Sequence, residues 1–326
     1  MWDNLSLLIQ VPVLNVQLLL DGLFVGAIFA LMAYGLALVW GVMNIKNLAQ
    51  GDFVIMGGYI AWWFGIDVTI WIGIPAIEIF SIPEVEFLEF VKPAIHPLLS
   101  LPVAIIFMFG FGWLIYRLII SRLVGRDLFT SLLATFGLAI VVQQLLNQMF
   151  GPEVQTAESG FQTRFFFDGM VSVADIKFIS FCLTAVLAAI VVTFMKYSRM
   201  GQAIRATAQD ARAAKVMGID TDRVYAFTYA LNAAICGAAG VLISMIWIIQ
   251  PFFGLPHSIR AFVIVTAAGL GNLPGVIATG LGLGAAEQFG GFILGAEFQQ
   301  ALVVSMLVLV LVVREIQQSR QRQAVV

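Results

Sequence analysis

Few side chains in this 326-residue chain could carry out covalent or metal chemistry, and their spacing does not support it. His96 and His257 are the only histidines, and each stands beside a proline in a segment that reads as a loop, far from any other ligand-type residue. A metal centre is not expected. Cys182 and Cys236 each lie inside an apolar run with no CxxC partner and read as buried small hydrophobes. The chain has no GxSxG elbow, Walker A loop or HExxH pair. It is therefore not expected to be an enzyme or to hydrolyse nucleotide itself. A net charge of -2 also argues against a nucleic-acid partner, which needs clustered cations.

What remains is a set of uncharged polar groups in apolar surroundings. Asn44, Asn47, Gln50, Gly51 and Asp52 interrupt one hydrophobic stretch, and Gln143, Asn232 and Asn272 interrupt others. Amides at membrane depth could line a passage, offering hydrogen bonds to a polar or zwitterionic solute without a fixed charge to trap it. The plainer reading, that such residues end helices and form interfacial loops, stands beside it, above all for Asn147 and Gln250. The acids Asp21, Asp52, Asp67, Glu287 and Glu297 mostly fall near expected helix ends or breaks, which disfavours an ion-coupled carrier. A channel is disfavoured as well, because no span carries an arginine row and no TVGYG filter occurs.

A second candidate site is the polar insert 197–223, YSRMGQAIRATAQDARAAKVMGIDTDR. Ile204, Ala208, Ala211 and Ala214 recur at helical spacing on one face, and Arg205, Gln209 and Arg212 on another, with Gly201 and Gly218 as expected stops. A small-residue face with a basic flank suits docking into a partner's groove. A solvated loop that only sets topology, or an interfacial helix held by anionic lipid, fits the same pattern.

The elements that must position these residues are membrane spans. With 61% hydrophobic and 11% charged residues the chain cannot clothe a soluble surface. Apolar runs long enough to cross a bilayer cover about 18–43, 53–74, 101–120, 128–150, 176–195, 224–249, 259–294 (broken by Gly and Pro) and 299–313. The expectation is one all-α polytopic membrane domain over 1–326, with about eight spans and a short broken segment. The first run begins late, lacks a basic n-region and reads as a retained span. Twelve of the seventeen cations cluster at 117–126, 196–223 and 314–322, which marks those segments and the C-terminus as cytoplasmic. The acidic loops carrying Glu78, Glu84, Glu86 and Glu89, and Glu153, Glu158, Asp168 and Asp175, belong outside. The side of the N-terminus stays open. Gly22, Gly26 and Ala30, Gly237 after Ala233, and Gly280 with Gly284 repeat every four residues, the spacing that lets membrane helices approach closely.

Three blocks carry a resemblance. LDGLFVGAIFAL at 20–31 runs on to NLAQGD at 47–52; AIRATAQ at 203–209 is followed by DRVYAF at 222–227 and PFFGL at 251–255; GLGNLPG occupies 269–275. Together they resemble the permease subunits of bacterial branched-chain amino acid ABC importers, the LivH-like family. The resemblance implies half of a translocation pore in the bacterial inner membrane, carrying branched-chain or other hydrophobic amino acids, with urea or short amides as the next choice. It implies a second, homologous permease subunit, two ATP-binding cassette subunits and an extracytoplasmic solute-binding protein. No cofactor is expected on this chain; ATP and Mg belong to the partners. The insert would be a coupling helix, contacting the ATPase through Gly201, Ile204, Arg205, Ala208, Arg212, Ala213, Ala214 and Gly218. Arg212 stands where that motif often has Glu, and Gln50 where many relatives have His. A self-sufficient carrier built on Asp52 and Glu287, or a non-transporting scaffold, are the competing readings.

Overall fold

Helices α2 (Pro12–Met43) and α9 (Thr221–Ser244) are apolar around their whole circumference, and such helices must be covered on every side. In their most apolar stretches 94% and 89% of residues are buried, against at most 28% in each of the other five helices long enough to span a membrane, so these two form the core. The computed structural model describes residues 2–74, 85–166, 171–269 and 271–324. Around the central pair lie α1 (Trp2–Gln10), α3 (Gln50–Gly65), α4 (Leu101–Leu118), α5 (Leu128–Phe150), α6 (Asp175–Tyr197), α7 (Arg199–Gln209), α8 (Ala211–Val216), α10 (Gly254–Ala268), α11 (Leu273–Leu294) and α12 (Gln299–Ala324).

Small residues line the two most extensive helix contacts. On α2, Gly22, Gly26 and Ala30 face Gly284 and Gly280 of α11; a Cβ on Gly26 would lie 2.8 Å from the Gly280 carbonyl oxygen. On the other side α9 packs against α4, where Gly237 meets Met108 and Gly112 meets Ala230 and Ala233. Lipid tails give helices no hydrophobic reason to associate, so this backbone-to-backbone contact is the main attraction.

The two halves repeat one plan in opposite senses. A long buried helix (α2, α9) is followed by a non-helical stretch, a half-length helix (α3, α10) and two long helices, and each central helix packs on the third helix of the other half. The half-length helices begin side by side inside the bundle, where a Cβ on Gly51 would run into the backbone of Gly254. From there α3 runs away from the end that carries the basic insert and α10 runs toward it, the inverted arrangement familiar in transporters.

Several expectations change. The run 53–74 is helical only to Gly65, because the β-branched and aromatic stretch Val68–Ile74 forms strand β1, paired antiparallel with β2 (Val85–Lys92) through a bulge between Ile72 and Gly73. The long acidic loop is thus partly a hairpin, and Glu78, Glu84 and Asp168 lie outside the described residues. A second hairpin joins β3 (Thr163–Phe166) to β4 (Val171–Ala174). Among the described residues seven helices are long and apolar enough to cross a membrane, with α3 and α10 as shorter pieces. The span read as 224–249 ends at Ser244, and 245–253 is a turn-rich return. His257 is not in a loop: Pro256 falls in the first turn of α10, where its missing N–H costs nothing, so the helix starts before the histidine and buries it. Cys182 is exposed rather than buried, since α6 lies at the perimeter and covers only one face against α2; Cys236 is buried.

Gly284→Ala should therefore lower the stability of the detergent-solubilised chain by about 1–3 kcal/mol, the usual cost of overpacking. Gly282→Ala, two residues away with nothing within 4 Å of its added methyl, should be neutral or slightly stabilising. Thermal unfolding of the two variants in parallel checks this.

Candidate functional site

The first site forms where the half-length helices begin. α2 ends at Asn44, whose left-handed backbone (φ 54) turns the chain back into the bundle. Residues 45–49 then run without helical bonds, and hydrocarbon would leave their backbone groups unpaired. Side chains replace those bonds. Leu48 N–H donates to the Thr135 hydroxyl of α5 (3.2 Å), Ala49 N–H to Asn47 Oδ1 (3.2 Å) and Gly51 N–H to Ser258 Oγ (2.8 Å), which itself donates to the Leu48 carbonyl (2.8 Å).

Gln50 ties the junction to the core. Its Nε2 donates to the Met32 carbonyl (2.8 Å) and to Asn232 Oδ1 (3.0 Å), with Cys236 Sγ also at 3.0 Å, while Asn232 Nδ2 donates back to Gln50 Oε1 (3.0 Å). Both amides are fully buried and join α2, α3 and α9. Asn47 Nδ2 points at the same Gln50 oxygen (3.4 Å). Asp52, in the first turn of α3, accepts from Gln143 Nε2 of α5 (2.9 Å), and its carboxylate fills the space a side chain on Gly254 would need. Six of the eight residues read as path-lining, Asn47, Gln50, Gly51, Asp52, Gln143 and Asn232, are thus assembled at one junction. Asn44 and Asn272 stand apart. Asn44 is an exposed helix end, and Asn272 caps α11 by accepting from Gly275 N–H (3.1 Å).

Ser258 and Thr135 escaped sequence reasoning, since single hydroxyls inside apolar runs give no pattern. Arg260 escaped it too. It pairs with Glu287 of α11 (2.8 Å) and lies over the rings of Phe29 (5.1 Å) and Trp247 (5.5 Å), mostly buried. Glu287, one of the two acids on which a carrier reading rests, is therefore held in an ion pair. Asp21 is likewise held, by Lys177 Nζ (2.7 Å) and Gln17 Nε2 (2.7 Å), and Gln17 also clamps β4 through Ser172.

The second site is the insert at the opposite, basic end. It is two helices, not one. Ser198 caps α7 by accepting from Gly201 N–H (2.8 Å), so Gly201 lies inside the first turn, not at a stop, pressed on the backbone of Phe194 and Met195. Asp210 is extended (φ -153) and breaks the helix, and its Oδ1 accepts from the N–H groups of Arg212 (2.8 Å) and Ala213 (3.0 Å). Those bonds hold its carboxyl below the usual carboxylate range. The break changes which residues share a face. Gly201, Ile204, Thr207 and Ala214 are buried, whereas Arg205, Ala208, Arg212, Ala213 and Gly218 are exposed, so Ala208 leaves the face that spacing assigned to it. At the C-terminal end of α8, its last residue Val216 and the following Met217 stand 86% and 82% exposed, an apolar tip that the sequence reading passed over. Gly218 follows in a left-handed turn (φ 86) and closes the tip. At the same end Asp222 of α9 accepts from Tyr116 (2.7 Å) and pairs with Arg117 (2.8 Å) of α4, fixing the base on which the insert stands.

Apolar spans around two inverted, interrupted helices, with an exposed polar element at one end, define an α-helical membrane permease. Residues 18–313 match the family described as branched-chain amino acid transport system, permease component, and the chain belongs to that family. It is similar to the high-affinity branched-chain amino acid transport system permease protein LivH of Salmonella typhimurium, 28% identical over 309 residues, covering 91% of this chain and 92% of that protein. It is equally similar to BraD of Pseudomonas aeruginosa, 28% identical over 304 residues, with 91% and 93% covered. The probable branched-chain amino acid transport permease protein LivH of Methanocaldococcus jannaschii is 25% identical over 305 residues, with 89% and 86% covered. No solved structure matches the chain significantly.

The Gln50–Asn232 pair generates a test. Gln50→Ala and Asn232→Ala should each destabilise by about 1–3 kcal/mol, because each leaves the other amide buried without its partner. Gln50→Ala with Asn232→Ala should cost less than the two single losses added, since it removes both polar groups. Thermal melts of the four proteins in one detergent give the cycle.

Proposed function

We propose that this chain is the transmembrane permease subunit of an ATP-driven importer of branched-chain or other hydrophobic amino acids in the bacterial inner membrane. It forms one half of the translocation pore, beside a second permease subunit. Two ATP-binding cassette subunits hold ATP and Mg and dock on the basic end, and a solute-binding protein delivers the amino acid at the other. The names of the relatives support the choice of solute. The concentration of cations on the insert end supports a cytoplasmic position for that end and for the C-terminus.

The observation that carries the coupling role is the tip at Val216 and Met217. Large apolar side chains displayed at a helix end above buried Ala214 are the kind of knob that fills a partner's groove. Arg212 and Ala213, exposed beside them, would touch the rim of the same groove, and Ala208 extends the contact along α7. The junction of Asn47, Gln50, Asp52 and Asn232 would serve the path indirectly, by holding the two half-length helices together where they flank it.

The test is reconstitution in liposomes with both ATPase subunits, the second permease and the binding protein. Labelled leucine should accumulate only when ATP is supplied. Val216→Asp with Met217→Asp should cut that uptake roughly thirtyfold, the equivalent of a 2 kcal/mol contact, while leaving the melting temperature unchanged because neither side chain is buried. Uptake without ATP, or full coupling in the double variant, overturns the reading.

A further inference from the structure

Three cavities run in series over α2, between α6 and α11, which both pack on it. The first, about 510 Å3, lies at the basic end, between Trp40 and Asn44 at the end of α2 and Arg205 and Gln209 of α7. The second, about 460 Å3, shares Met195, Arg205 and Leu273 with it and adds Lys196 and Tyr34. The third, about 130 Å3, shares Tyr34 and Ile277 with the second and is otherwise walled by apolar side chains and the Thr184 hydroxyl. Along α6 the series extends from Lys196 to Phe181, roughly 22 Å at 1.5 Å per residue, which is longer than one leaflet of a 30 Å hydrocarbon core, about 15 Å.

Polarity is graded along this slot. Arg205 and Lys196 stand at its mouth, and among the described residues no carboxylate forms an ion pair with either. The N-terminal turn of α11, with Leu273 and Pro274, opens at the same place and adds the positive end of its dipole. Deeper in, the walls are Ala30, Leu31, Phe181 and Leu281. The Thr184 hydroxyl, buried there, has no hydrogen-bond partner. The slot is open to the membrane side, where Val192 is exposed.

We propose that this slot binds an anionic phospholipid, its phosphate between Arg205 and Lys196 and one acyl chain along Tyr34, Ile277 and Leu281. Lys196 Nζ lies over the Tyr197 ring (5.1 Å) and Arg205 donates to the Lys196 carbonyl (3.4 Å), so neither charge is neutralised by a carboxylate among the described residues. The two cations select negative headgroups, and the apolar trough behind them excludes a free anion as the natural occupant. Because Arg205 belongs to α7, a bound lipid joins α7 to α2, α6 and α11, so membrane composition sets how firmly the insert is held on the bundle.

Native mass spectrometry of the purified transporter complex, titrated with dioleoylphosphatidylglycerol, tests this. One lipid should be retained after nonspecifically bound lipid has been stripped by collisional activation, and Arg205→Gln with Lys196→Gln should weaken its retention about twenty-fivefold, at roughly fivefold per cation. Ala188→Phe, which fills the trough and leaves both cations, should weaken it as well, whereas Arg126→Gln, a basic residue away from the slot, should not. Dioleoylphosphatidylcholine should not be retained. Equal retention of both lipids, or equal weakening by Arg126→Gln, reduces the effect to nonspecific adsorption and overturns the site. Displacement of the lipid by millimolar inorganic phosphate, with Ala188→Phe unaffected, reassigns the mouth to a free anion and overturns it too. The readout is lipid mass, so it is independent of whether the complex transports amino acids.

Discussion

Everything in this molecule is arranged around backbone that has left helical geometry inside an apolar bundle. The chain from Asn44 to Ala49, and the first turns of α3 and α10, expose peptide groups that water would satisfy at a surface and that hydrocarbon cannot. Ser258, Thr135 and Asn47 take over the missing bonds. Since those side chains come from α10, α5 and the junction itself, their demands fix where the surrounding helices stand. The central helices are buried on all sides because they must also screen this junction from lipid.

Hydrogen bonds and close packing divide the labour between the two ends of each half. Glycine faces bring α2 onto α11 and α9 onto α3 and α4, with backbones in contact and little tolerance for added volume. Polar pairs then lock the half-length helices in register: Gln50 with Asn232, Asp52 with Gln143, Arg260 with Glu287. Only the first of these joins two uncharged, fully buried groups. The others place charge against a donor that satisfies it, which is the condition under which ionised side chains persist at membrane depth. The insert at the basic end follows different rules, those of a water-exposed helix pair with side-chain caps at Ser198 and Asp210.

Much of this was readable from residue order. Long apolar runs located α2, α4, α5, α6, α11 and α12, because length and hydrophobicity alone decide a membrane span. The four-residue glycine spacing located the faces of α2 and α11 that meet, and the amide cluster at 44–52 located the junction. What escaped has physical causes. Hydropathy cannot separate a strand from a helix in a short apolar run, so 53–74 read as one span although its second part pairs as β1. A proline reads as a breaker unless its place in the first turn is known, which hid the start of α10 and buried His257. A single serine or arginine within an apolar stretch has no periodic signature, so Ser258 and Arg260 emerged only once three-dimensional neighbours were known. The inverted repeat left no recognisable trace in the residues, because each half needs only the same pattern of lengths and breaks.

The contact between α2 and α11 also has a consequence in time. Gly26 and the Gly284 it meets are 258 residues apart (284 − 26), so the most intimate face of the first long helix has no partner while nearly the whole chain is still being made. At a synthesis rate of about 5–20 residues per second that wait is roughly 13–52 s. During this interval α2 must stay in the membrane on hydrophobicity alone, with its glycine face against lipid or the insertion machinery. Its apolar circumference, which the finished protein conceals almost completely, is what keeps the unfinished one inserted.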